Sequence, residues 1–136
     1  MAVEPTDFLK AASSLERLHR YAEARRAYQA ATQLWPDNAL VWAGAGNVAY
    51  ALSDFDPAES AYRRALALEP GNVLVMNNLA LALAQRGCAV QARAVIDCAL
   101  GRSPDAPLLA ATAEEISQFS DSGGDCRVFN CPSGAP

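Results

Sequence analysis

The chain has 136 residues, 51% apolar and 19% charged, with 11 Lys and Arg against 15 Asp and Glu for a net charge of −4. That length suits about one domain able to bury roughly two thirds of its unfolded surface, and the apolar content is too high for a disordered chain. The acidic balance argues against nucleic acid and against an anionic membrane surface, and no apolar run approaches the ~20 residues of a membrane-spanning helix. The opening MAVEPTDFLK lacks the basic start and apolar stretch of a secretory leader.

In chain order, small and aromatic residues that recur at a 34-residue interval read as paired helices at about 5 to 18 and 22 to 34, 39 to 52 and 56 to 68, and 73 to 86 and 89 to 101. Pro36, Pro70 and Pro104 each follow the second helix of a pair, 34 residues apart. A proline cannot continue the hydrogen-bond ladder and biases its predecessor away from the helical region, so each pair is punctuated. Asp56-Pro57 followed by Glu59 reads as an N-cap, a proline at the first helical position and an acid in the first turn. Gly71 and Gly87 mark stops. After Pro104, DAPLLAATAEEISQF predicts a capping helix at about 105 to 118, with Leu109, Ala113 and Ile116 on one face and Leu108 beside it. Residues 121–136, rich in Gly, Ser, Asp and Pro, read as an irregular tail carrying cysteines.

A 34-residue period is the length of a tetratricopeptide (TPR) repeat. Registered on the three prolines, residues 5–38, 39–72 and 73–106 resemble that family at the signature positions. Repeat two reads Trp42, Ala45, Gly46, Ala49, Phe55, Ala58, Tyr62, Ala65 and Pro70, and repeat one carries Phe8, Ala11, Ala12, Leu15, Tyr21, Ala24, Tyr28 and Ala31. Repeat three keeps Leu79, Ala80, Leu83, Ala92 and Ala99 but places Met76, Ala89 and Ile96 where aromatics are usual. The resemblance implies an all-α fold: a three-repeat right-handed superhelix of six helices, with a TPR domain over 1–120 that includes the capping helix. Small residues let two helices approach closely while aromatics fill the space between hairpins.

The family uses its concave groove to hold peptides, which makes a non-catalytic protein-interaction module the expected function. Carried onto this chain, the groove positions include Lys10, Ser13 and Arg17 in repeat one, Asn47 and Tyr50 in repeat two, and Asn77, Asn78, Leu81 and Gln85 in repeat three. An Asn amide can pair with both halves of a peptide unit, so Asn47 and Asn78 are the strongest candidates. Lys10 and Arg17 could draw one acidic group to the N-terminal end. TPR domains that grip chaperone C-termini resemble one another in a cationic carboxylate clamp, and here Leu9, Ser13, Gly44, Leu74 and Asn78 stand in its places. The paired cations that hold carboxylates are missing, so a chaperone-tail receptor is disfavoured.

Four cysteines, Cys88, Cys98, Cys126 and Cys131, allow three pairings. Cys88 and Cys98 lie ten residues apart along the helical segment, roughly 15 Å, and cannot join each other. A capping helix parallel to the third A helix delivers the tail near Cys88, and five extended residues reach about 17 Å further. That geometry favours Cys88 with Cys126 and Cys98 with Cys131, in an oxidising compartment, periplasmic or secreted. The alternative is four free thiols in a cytoplasmic domain. No zinc site is expected, because a single C-x4-C has no second ligand pair and the one histidine, His19, lies at the far end of the array. No cofactor is expected either, and no base, nucleophile or phosphate loop supports catalysis.

Residues 77–116 also resemble the C-terminal TPR module that follows a papain-like cysteine peptidase domain in some exported bacterial proteins, which implies an accessory domain of a larger enzyme. The expected partner is another protein or peptide, with no nucleic acid and no membrane. A self-associating unit, a weak homo-oligomer, is the remaining alternative.

Overall fold

The computed structural model describes residues 3–133, in which seven α-helices and no strand occur. They are α1 (Pro5–Arg17), α2 (Tyr21–Leu34), α3 (Ala39–Ala51), α4 (Phe55–Leu68), α5 (Val73–Gln85), α6 (Ala89–Arg102) and α7 (Pro107–Ile116). The six paired helices lie within one residue of their expected ends. Pro36, Pro70 and Pro104 each stand two residues past the end of α2, α4 and α6.

The turn inside each pair is the same. His19, Ser53 and Gly87, again 34 residues apart, adopt left-handed φ values of 57°, 59° and 85°. Beyond each, an amide reaches back into the preceding helix: Arg20 to the Leu15 carbonyl, Asp54 to Ala49 and Cys88 to Leu83, all at 2.9 Å. This Schellman closure satisfies carbonyls that a helix end otherwise leaves open, and it favours glycine because a Cβ is crowded at that φ. Two of the three positions nevertheless carry a side chain.

The same turn corrects the expected start of α4. Once Ser53 has closed α3, the helix begins immediately, and the Asp54 carbonyl accepts from the Ala58 amide at 3.2 Å. Asp54 therefore occupies the cap, and Asp56 and Pro57 fall within the first turn. A proline is tolerated there because an amide at that position has no intrahelical acceptor. The starts of α3 and α5 are capped by Asn38, whose side chain accepts from the Leu40 and Val41 amides, and by Asn72, which accepts from Val75.

By its contacts the chain divides into two units, one ending at Leu68 and one beginning at Glu69. In the first unit, Ala12, Ala24, Tyr28 and Val48 form a buried cluster, with Leu9, Leu15 and Tyr21 packed against it. A Cβ at Gly44 would strike the Tyr28 ring, and one at Gly46 the Tyr62 ring. The two glycines are notches that admit the two tyrosines. Gly44 is thus buried beneath an aromatic ring and adds no open room to a groove. Glu59 is also buried, 4% exposed, with its charge met by Arg63 at 2.8 Å one turn later.

In the second unit the core is aliphatic: Met76, Leu79, Leu83, Val95, Ile96, Leu109 and Ile116 are all buried. Met76 and Ile96 therefore fill positions that carry aromatics in more regular repeats. Helix α7 packs on both α5 and α6, turning Leu109, Thr112 and Ile116 inward and leaving Leu108 exposed. The irregular tail then runs alongside α6. Cys126 is joined to Cys88 and Cys131 to Cys98, with Cα separations of 5.7 and 5.6 Å. Between these bridges, the Phe129 amide donates to Gln91 Oε1 at 2.8 Å. Ahead of them, Asp121 Oδ1 accepts from the Val90 amide at 3.1 Å, and the Ser122 amide donates to the Gly87 carbonyl at 2.9 Å. Cys88, the N-cap residue of α6, makes no side-chain cap bond, so Asp121, 31 residues beyond Val90, supplies the missing acceptor.

Candidate functional site

In the first unit, Thr6, Leu9, Lys10, Ser13 and Arg17 recur at helical spacing and so share one face of α1. That face, with Ser14 and with Leu40 of α3, lines an open pocket of about 620 Å³. Leu40 is 62% exposed at its edge. The pocket joins apolar contact from Leu9 and Leu40 to hydroxyls and two cations. Arg17 is steadied by Ser14, whose Oγ accepts from its Nη2 at 3.0 Å and in turn donates to the Lys10 carbonyl at 2.9 Å. Among the described residues, no carboxylate pairs with Lys10 or Arg17.

Further along the unit, two tyrosines from the second helices of the pairs reach polar side chains of the first helices. The Tyr28 hydroxyl donates to Glu16 Oε1 at 2.5 Å, and the Tyr62 hydroxyl donates to Asn47 Oδ1 at 2.7 Å. Burial, and then the bond to Glu16, raise the Tyr28 phenol well above its ordinary range; burial, and then the neighbouring Tyr50 and Glu16, do the same for Tyr62. The Asn47 carbonyl oxygen thus already accepts one hydrogen bond, from Tyr62. Tyr50 is half-buried and packs edge-on against Phe55, with ring centroids 5.3 Å apart.

In the second unit, Leu74, Asn78, Leu81 and Gln85 share a face of α5 by spacing, with Leu74 and Gln85 exposed and Asn78 and Leu81 half-buried. Asn77 is not on that surface. It is 3% exposed; its Nδ2 donates to Asn78 Oδ1 at 3.3 Å, and its Oδ1 has no partner among the described residues. An amide one step round the helix from Asn78 points inward because 100° of rotation separates neighbours. His19 stands exposed in its left-handed turn, its Nδ1 3.0 Å from the Tyr21 hydroxyl. Ser14 is a pocket-lining residue beyond the expected contacts, although its spacing places it beside Lys10 and Arg17.

A family model described as tetratricopeptide repeat matches residues 9–56 and 43–107. Protein FlbA of Caulobacter vibrioides is 29% identical over 116 residues, 85% of this chain and 20% of that protein. The chain thus spans one fifth of the length of the curated relative it matches. Among solved structures, the first TPR of Spaghetti (RPAP3) bound to HSP90 peptide SRMEEVD has a TM-score of 0.79 at 18% identity, covering 84% of this chain and 90% of that one. The Yersinia enterocolitica type III secretion translocator chaperone SycD has a TM-score of 0.73 at 18% identity, covering 82% and 77%. Both likenesses concern the fold.

Proposed function

Because the chain belongs to the tetratricopeptide-repeat family, we propose that it is a protein-interaction module holding an extended segment of another protein against the α1 face of its first unit. The observation that carries this reading is the open pocket between the α1 stripe and Leu40. Its apolar edges suit an aliphatic or aromatic side chain, and its two cations without a carboxylate suit an acidic neighbour in the same segment. The Asn78, Leu81 and Gln85 stripe of α5 is a second contact surface of the same kind.

The segment bound is not a chaperone C-terminus of the sort named for the RPAP3 complex. Clamp recognition needs converging cations, and two of its places are filled by Leu9 and by Gly44, the latter buried under Tyr28. Shape and backbone contacts carry more of the recognition here. The two disulfides of the second unit suit an oxidising compartment, where such bonds persist.

Selection of random displayed peptides against the full chain tests this function. Binders are expected to place an acid beside an apolar residue, and to lose at least tenfold in affinity with Arg17→Glu or Leu40→Asp. Binders indifferent to both substitutions would refute it.

A further inference from the structure

A second pocket in the first unit, about 240 Å³, opens between α2, α3 and α4. Each helix contributes one stripe. Arg25, Gln29 and Thr32 line it from α2, at spacings that keep them on one face. The floor is small: Ala45 and Ala49 of α3 with Ala61 of α4, where a larger side chain would fill the space. Trp42 forms one wall and Pro57 and Ser60 another. At 100° per residue, Trp42, Ala45 and Ala49 lie on the side of α3 opposite Leu40, so this pocket is separate from the α1 site.

Its charges are arranged asymmetrically. Arg25 is committed, its Nη2 2.6 Å from Asp54 Oδ2. Arg64 sits over the Trp42 ring, 5.0 Å from the centroid, and no carboxylate pairs with it among the described residues. The indole beneath it is fixed, because Trp42 Nε1 donates to the Pro36 carbonyl at 2.8 Å. A planar guanidinium held against a locked ring presents its donors in a defined direction. The Ser60 hydroxyl adds a donor on the same helix one turn earlier.

We propose that this pocket is a second binding site, which takes a Glu or Asp side chain of a partner polypeptide together with an apolar neighbour. One uncommitted cation matches a singly charged carboxylate; a doubly charged phosphate would leave half its charge unmet, since Arg25 already has Asp54. The alanine floor accepts methylene or methyl groups but has no donor for a polar one. The volume, equal to about eight waters at ~30 Å³ each, fits one or two side chains rather than a cofactor. With sites on opposite sides of α3, one copy of the chain could engage two segments at once.

The test is a titration of the full, isotope-labelled chain with a short N-acetylated, C-amidated peptide carrying Glu between leucines, and with its Gln counterpart. The Trp42 indole N–H and the Ala45 and Ala49 amides should shift with the Glu peptide, which should bind roughly tenfold more tightly than the Gln peptide, the scale of one charge-assisted contact. Arg64→Gln, at an exposed position, should erase the difference between peptides, and Ala49→Leu should block both. If Ala49→Leu does not fold, Ser60→Leu at the exposed rim serves instead. Arg17→Glu should leave these shifts unchanged, which separates this site from the α1 pocket. Equal affinity for the two peptides, shifts confined to the α1 face, or no shift at millimolar peptide would overturn the proposal. So would Trp42 shifts that grow with protein concentration alone, since they would assign the pocket to a second copy of the chain.

Discussion

The two units solve one packing problem differently. In the first, large aromatics are wedged against glycines, Tyr28 on Gly44 and Tyr62 on Gly46, and each hydroxyl is tied to a polar side chain of a first helix. In the second, Met76 and Ile96 replace aromatic wedges, and a tail bridged at Cys88 and Cys98 runs along α6. An aromatic wedge acts through native contacts alone. A covalent strap acts largely by restricting the unfolded chain, so it answers to redox chemistry where the wedge does not. The lesson is that a repeat can lose its signature aromatics when something outside the repeat compensates.

The largest expected effect strikes the wedge. Tyr62→Ala should cost the first unit about 3–5 kcal/mol, from lost burial and the cavity left behind, read as lost amide protection in α3 and α4. A loss below about 1 kcal/mol would mean that the ring is not what holds those helices. Next comes the strap: paired Cys88→Ser and Cys126→Ser should cost the second unit about 2–4 kcal/mol for a loop of 38 residues, and reduction, which also opens the Cys98–Cys131 bridge, should cost more. The first-turn amides of α6 should lose protection first, because Asp121 leaves with the tail. Were α1 and α2 amides to open equally fast on reduction, the distinction between units would collapse.

Alkaline pH sharpens the contrast from the other side. Tyr28 and Tyr62 have folded-state pKa values raised above that of the unfolded chain, so both stay neutral while unfolded phenols ionise. Stability of the first unit should be complete below about pH 10 and fall as pH rises beyond it. With Tyr28→Phe and Tyr62→Phe together, that decline should flatten in a pH series of urea melts. The smallest effect is a gain. His19→Gly relieves a left-handed φ and should stabilise by up to about 1 kcal/mol, offset in part by the added freedom of the unfolded chain and the lost contact to Tyr21. A loss in thermal melting would show that the imidazole's contact outweighs the strain.

Helix ends were legible because Pro36, Pro70 and Pro104 act through covalent geometry, which context does not override. The left-handed turns at His19 and Ser53 were not, since neither residue type announces a positive φ; only their 34-residue spacing from Gly87 does. That omission moved the expected cap of α4 from Asp54 to Asp56. Among the candidate contacts, Lys10, Ser13 and Arg17 could be placed on one face from spacing alone. Asn77 could not be separated from Asn78, because position along a helix does not say where the buried arc stops. The commitment of the Asn47 oxygen depends on a tyrosine fifteen residues away, a tertiary fact with no local mark.

The most direct test of the account is residue-resolved mapping of a selected peptide on the full chain, by amide shifts on titration. Shifts clustered along α1 from Thr6 to Arg17 and at Leu40, abolished by Arg17→Glu with the fold intact, are the predicted result. Shifts concentrated on α6 and the tail, with the α1 face silent, would contradict it.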